Sequence, residues 1–249
     1  MEGDVRFEEL VSAFQNQAIR TVVIRGWRSE SVLYTIFHRL NTGSVPLSPQ
    51  ELRQALHPGE FLSFAARFSE QSKPLGILLG ISRPDFRMRD VELVVRFYAF
   101  RLRLGDYRGN LKEFLDDTCD HLNHDWGADQ DHLRRVATDL EESIQAAIKI
   151  FSKNYVFRKW DGARFEKRLN RAVFDVVAQS LAEPKTRSIA LKRKEDVLRS
   201  FKALCLDDEF RSAIESTTKS KQAVANRFRK WYAAMGEITG KRMHIDLPR

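Results

Sequence analysis

At 249 residues, 43% hydrophobic and 31% charged, the chain is long enough for one large or two small domains and too apolar for a disordered one. No apolar run approaches the ~20 residues of a membrane helix, the first residues lack a signal pattern, and two cysteines cannot build a disulfide framework or a Cys-rich zinc centre; this points to reduced thiols in the cytoplasm. The net charge of +8 is segregated, with +3 in residues 1–105, −7 in 106–145 and +12 in 146–249, which suggests a polyanion for the basic end and a solvated face for the acidic middle.

In chain order, Val5 to Ile19 reads as an amphipathic helix, with Phe7, Leu10, Val11, Phe14 and Ala18 on one face. Thr21–Arg25 is the one β-branched run with strand character. Helical spacing returns over Ser31–Leu40 and ends at Asn41-Thr42-Gly43-Ser44. Ser48-Pro49-Gln50-Glu51 then gives a strong start signal, with Ser at the N-cap, Pro at the first helical position and Glu at the third. That helix reaches about Leu56 and stops at Pro58-Gly59; another spans Glu60–Glu70. Residues 73–85 read as a packed apolar connection, and 91–104 as a helix apolar nearly all round, hence central in the core. Further helices are predicted over 111–122, 133–151, 165–181, 188–205, 207–216 and 220–236, with Gly105, Gly109 and Pro184 as breakers. The expected fold is a mainly α multi-helix bundle with one short strand. A lone strand cannot satisfy its own backbone, so either it pairs with an unrecognised neighbour or its sheet lies outside this chain.

Residues 34–56 (YTIFHRLNTGSVPLSPQELRQAL) carry a dense constellation: Phe37, Arg39, Leu40, Asn41, Thr42, Gly43, Leu47, Gln50, Glu51, Leu52, Arg53 and Ala55. It resembles the Phe-x-Arg-Leu-Asn-Thr-Gly-Gly-x-x-Leu-x-x-Gln-Glu-Leu-Arg-Asn-Ala pattern of the GmrSD-type restriction family, whose N-terminal domain is ParB/sulfiredoxin-like. Ser44 and Gln54 depart mildly from that pattern. Weaker likenesses follow at Met88–Phe97, Phe165–Asp175 and Lys219–Arg227. The family's Asp-Gly-Gln-Gln-Arg motif and its His-Asn-His nuclease do not occur in these 249 residues. The resemblance therefore implies residues 1–58 as the C-terminal remnant of a ParB-like α/β domain, which would account for the orphan strand, and 59–249 as its helical extension. It further implies a protein partner bearing the missing half-domain, and a nucleotide shared with it.

The residues argue part of this independently. Gln50 and Arg53 share a helix face. With Arg39 and Asn41 beside the preceding turn they could converge on a phosphate, which gives a candidate cofactor site of Arg39, Asn41, Gln50 and Arg53. The alternative is that these groups cap the turn and pair with Asp90 or Glu92. Cys119, His121, His124, Asp125 and His132 cluster, but no second ligand doublet stands at a zinc spacing, so no metal is assigned. No local Ser/His/Asp or Cys/His motif appears, and no catalytic residue is assigned.

Three basic stretches fill the last third. Residues 149–171 interleave eight cations with Tyr155, Phe157 and Trp160, the last two read more readily as core. The candidate DNA contacts are Lys185, Arg187, Lys192, Arg193 and Lys194, and Lys219, Lys221, Arg227, Arg229 and Lys230. The expected function is a non-catalytic DNA-binding component of a GmrSD-like, modification-dependent defence system. The alternative is a stand-alone helical DNA-binding or scaffold protein.

Overall fold

The computed structural model describes residues 2–18, 46–216 and 218–241 throughout, with isolated positions between and after them. It divides into two compact units, 1–46 and 47–249. In the first, α1 spans Glu2–Gln15. Its apolar stripe is exposed: Phe7 at 67%, Leu10 at 63% and Phe14 at 83%. Val22 and Ile24 lie outside the described residues, so the Thr21–Arg25 strand is not among the elements described, whereas Val32, Thr35, Ile36 and Arg39 are helical.

The second unit is all helix in its regular structure: α2 (Pro49–Leu56), α3 (Glu60–Gln71), α4 (Lys73–Leu79), α5 (Arg89–Leu102), α6 (Leu111–Phe151), α7 (Arg171–Ala182), α8 (Pro184–Lys192), α9 (Lys194–Leu206), α10 (Asp208–Glu215) and α11 (Lys221–Thr239). The chain is thus a mainly α, multi-helix protein. Among the described residues the β-structure amounts to one isolated antiparallel bridge, Trp160 to Phe165. No described helix is long and apolar enough to cross a membrane.

The all-round apolar helix is central, as its sequence predicts. Every residue of α5 from Leu93 to Phe100 is buried. One of them is charged. Arg96 meets Asp175 of α7 through a two-pronged pair, at 3.0 and 2.7 Å, and Arg227 of α11 reaches the same carboxylate at 2.9 Å. Asp175, Arg96 and Arg227 are 1%, 4% and 1% exposed, so three helices are pinned at one desolvated charge. Gln179 of α7 adds a bond to the Phe97 carbonyl, and the Trp231 indole donates to Ser180.

Four elements differ from the sequence reading. Residues 73–79 are helical, because Pro74 sits where a helix begins and Gly80 takes the left-handed φ of 66° that ends it. The two helices expected over 111–122 and 133–151 are one helix of 41 residues, about 60 Å long. The polar stretch between them continues the turn because Leu122, Trp126 and Leu133 keep one apolar stripe in register. The helix expected from Phe165 starts instead at Arg171. Asn170 caps it, accepting from the backbone of Ala172 and Val173 at 2.9 and 3.1 Å. Pro184, read as a stop, opens α8, and α8 and α9 are separated at Arg193.

Candidate nucleic-acid interface

The start of α2 forms as its residues dictate. The Ser48 hydroxyl accepts from the Glu51 amide at 3.1 Å, and the Glu51 carboxylate accepts from the Ser48 amide at 2.6 Å. This capping box aims Gln50 and Arg53 inward. Both are buried, at 1% and 3% exposure. Arg53 donates to Asp116 of α6 at 2.7 Å and to the Gln50 side-chain carbonyl at 2.6 Å, while Lys112 reaches the other Asp116 oxygen at 2.8 Å. The partner is thus Asp116, not the Asp90 or Glu92 of the sequence reading. Nearby, the His57 ring lies 2.8 Å from Asp120, and the Asn123 amide donates to the His57 carbonyl. Arg53 accordingly binds α2 to α6, and Gln50 holds its guanidinium from within α2. Of the other two residues in the proposed phosphate site, Arg39 is exposed and Asn41 lies outside the described residues.

The ten candidate DNA contacts separate into two groups. Arg227 is a core residue: its guanidinium serves Asp175 and the Thr218 carbonyl, and burial pulls it below its ordinary pKa. Arg187 donates to the carbonyls of Leu181 and Ala182 at 3.0 Å each and pairs with Glu142, tying α8 to the end of α7. Arg193 pairs with Asp196 at 2.8 Å and donates to the Ile238 carbonyl at 2.6 Å. Lys230 is held between Asp207 and Glu209, whose hydrogen bonds push its pKa up. These four cations serve the fold first.

Lys185, Lys192, Lys194 and Lys219 are exposed, Lys221 is half-buried, and none of the five pairs with an acid among the described residues. Arg229 is exposed and, among the described residues, bonds only Asn226, at 3.1 Å. The Arg193 bond to Ile238 brings the Lys192–Lys194 corner against the C-terminal end of α11, whose next residues include exposed Lys241. Lys219 and Lys221 stand at the opposite end of α11, about 25 Å away along the helix, so these cations form two separate patches. Solvated lysines without acid partners are the groups that can trade their counterions for phosphates.

A cation–aromatic cluster that the sequence reading left out of the candidate contacts lies at 152–170. Its aromatic residues are split by the fold: Phe157 is core, 1% exposed against Phe174, whereas Tyr155 is 47% exposed. Its signal in the sequence is the interleaving of eight cations with aromatics; the core reading of Phe157 and Trp160 set it below the other two basic stretches.

The two thiols are poor nucleophiles. Burial pushes Cys119 up to about 12 and Cys205 up to about 11. Among the described residues no group of three His, Cys, Asp or Glu side chains is placed to hold a metal ion. No protein-family model, curated protein or solved structure matches the chain.

Proposed function

We propose that this chain is a non-catalytic, nucleic-acid-binding helical component, acting through the solvated lysines of its C-terminal third. The observation that carries the reading is the lack of acid partners among the described residues for Lys185, Lys192, Lys194, Lys219 and Lys221 in a region of net charge +12. Basic patches of this kind gain their affinity from released counterions and read little sequence.

The resemblance at residues 37–55 supports a setting for that activity, a GmrSD-like, modification-dependent restriction or anti-phage system in the bacterial cytoplasm. On this reading a partner chain carries the Asp-Gly-Gln-Gln-Arg half-domain and completes a nucleotide-binding domain. Because Arg53 is committed to Asp116, with Gln50 accepting from Arg53, the chain's share in a nucleotide falls chiefly to Arg39 and Asn41 of the four candidate residues.

The test is fluorescence anisotropy on one short labelled duplex. Lys185→Ala, Lys192→Ala and Lys194→Ala together should weaken binding to unrelated duplexes alike, with the far-UV spectrum unchanged. Unchanged affinity in that variant would exclude the α8–α9 corner as the contact. Copurification with a small protein bearing Asp-Gly-Gln-Gln-Arg tests the partner; its absence from every complex would leave the stand-alone binding reading in its place.

A further inference from the structure

The segment between α6 and α7 folds back on itself as a short hairpin. The Asp161 amide bonds to the Arg164 carbonyl at 3.0 Å and the Glu166 amide to the Lys159 carbonyl at 2.9 Å, around the bridge between Trp160 and Phe165. Its base is anchored in the core. Val156 and Phe157 are each 1% exposed, and the Phe157 carbonyl accepts from the Asn170 amide at 2.8 Å. Phe157 holds a φ of 52°, a left-handed conformation that a bulky residue keeps only where its surroundings fix it.

This scaffold carries a column of rings. Tyr155 stacks on Phe165 at 4.9 Å with the planes 19° apart, and Phe165 meets the Trp160 ring edge-on at 5.1 Å. Lys202 of α9 closes the inner end, its ammonium 4.0 Å from the Trp160 centroid. The outer end is open, since Phe165 covers one face of Tyr155 and the residue remains 47% exposed. The flanking charge is one-sided. Residues 149–171 carry eight cations and two acids. Both acids are engaged, Glu166 by Lys159 and Asp161 by the backbone of its own turn and Arg164. Lys153, Arg158, Lys167 and Arg168 pair with no acid among the described residues. An open aromatic face among unpaired cations meets the two needs of an unpaired nucleotide, a surface for the base and a charge for the phosphate. A duplex cannot use the ring, because its bases are already stacked on each other.

We infer that this hairpin is a stacking platform for single-stranded nucleic acid, with Tyr155 taking a base on its open face and the hairpin cations holding the adjoining phosphates. The inference deepens the nucleic-acid reading above and rests on it, but uses different residues. It is tested with oligothymidylate of about twelve nucleotides, within the length range of single-strand-binding modules, against an abasic strand of equal length and charge. Wild type should bind the base-bearing strand roughly five- to a hundredfold tighter than the abasic one. Tyr155→Ala should abolish that preference while leaving abasic binding unchanged, and Tyr155→Phe should retain it. The same length of oligouridylate shows whether RNA or DNA is the better source of the strand. Equal affinity of the wild type for base-bearing and abasic strands overturns the inference. If duplex binding still depends on Lys185, Lys192 and Lys194 in that case, the basic-patch reading survives alone; if the protein binds neither strand nor duplex, both fall together.

Discussion

Replacing Asp175 by Asn tests what holds the second unit together. The carboxylate is 1% exposed and is the acceptor for two guanidinium groups, Arg96 at 3.0 and 2.7 Å and Arg227 at 2.9 Å. Arg96 keeps one further acid, Glu92 at 3.7 Å, but Glu92 is shared with Arg171 at 3.0 Å. Among the described residues Arg227 would keep the Thr218 carbonyl and the Phe100 ring, and the one carbonyl oxygen left at position 175 is neutral and must serve both guanidiniums. Removing one side of a buried pair costs about 3–5 kcal/mol, because the remaining charge stays desolvated. Here two cations are left for one acid removed, so the upper half of that range is expected, softened for Arg96 by Glu92. At about 2–4 °C per kcal/mol for a chain of this size, the midpoint should fall by about 10–20 °C. Tryptophan fluorescence reports it directly, since Trp231 is fully buried and bonded to Ser180 on α7, the helix that carries Asp175. Adding Arg227→Met to Asp175→Asn should restore part of the loss, because a neutral side chain removes the stranded charge. A midpoint within about 2 °C of wild type for Asp175→Asn, less than 1 kcal/mol on the same scale, would refute the view that this charge cluster pins α5, α7 and α11.

Arg53→Met should destabilise the protein by about 2–3 kcal/mol, below the usual cost of a broken buried pair because Lys112 still compensates Asp116 at 2.8 Å; urea unfolding measures it, and a change near zero would return Arg53 to the role of a ligand-binding residue. Cys119 and Cys205 should resist a thiol reagent at pH 8 in the native protein and react at once in denaturant, since a thiol raised to about 12 or 11 holds roughly a thousandth or less of its population as thiolate; fast native labelling would contradict their burial.

Local signals were readable wherever the partner lay within a turn or two. The Ser48–Glu51 box needs only residues three apart, and the burial of α5 follows from its lack of a polar face. The continuity of α6 was hidden because its middle, from Asn123 to His132, is polar except for Trp126, Gly127 and Ala128, and one buried indole per three turns is too sparse a stripe to read by spacing. The start of α7 was misread because Phe165 and Leu169 stand at helical spacing from Val173, yet Asn170 stops the turn and Phe165 turns to Trp160. At the candidate sites, a cation in the sequence does not announce its acid. Arg53 finds Asp116 63 positions away and Arg227 finds Asp175 52 positions away, distances that no local pattern encodes. The lysines left over after such pairing, not the total charge, define the candidate interface.

The central claim is that this interface meets phosphates, and the salt dependence of duplex binding tests it most directly. Each phosphate neutralised contributes about −0.9 to the slope of log affinity against log salt. For wild type on a short duplex a straight line with a slope of about −3 to −5 is expected if most of the six candidate cations not committed to the fold engage. In the variant lacking Lys185, Lys192 and Lys194 the slope should flatten by about one to three units. A wild-type affinity that scarcely changes with salt, or identical slopes for the two proteins, would contradict it.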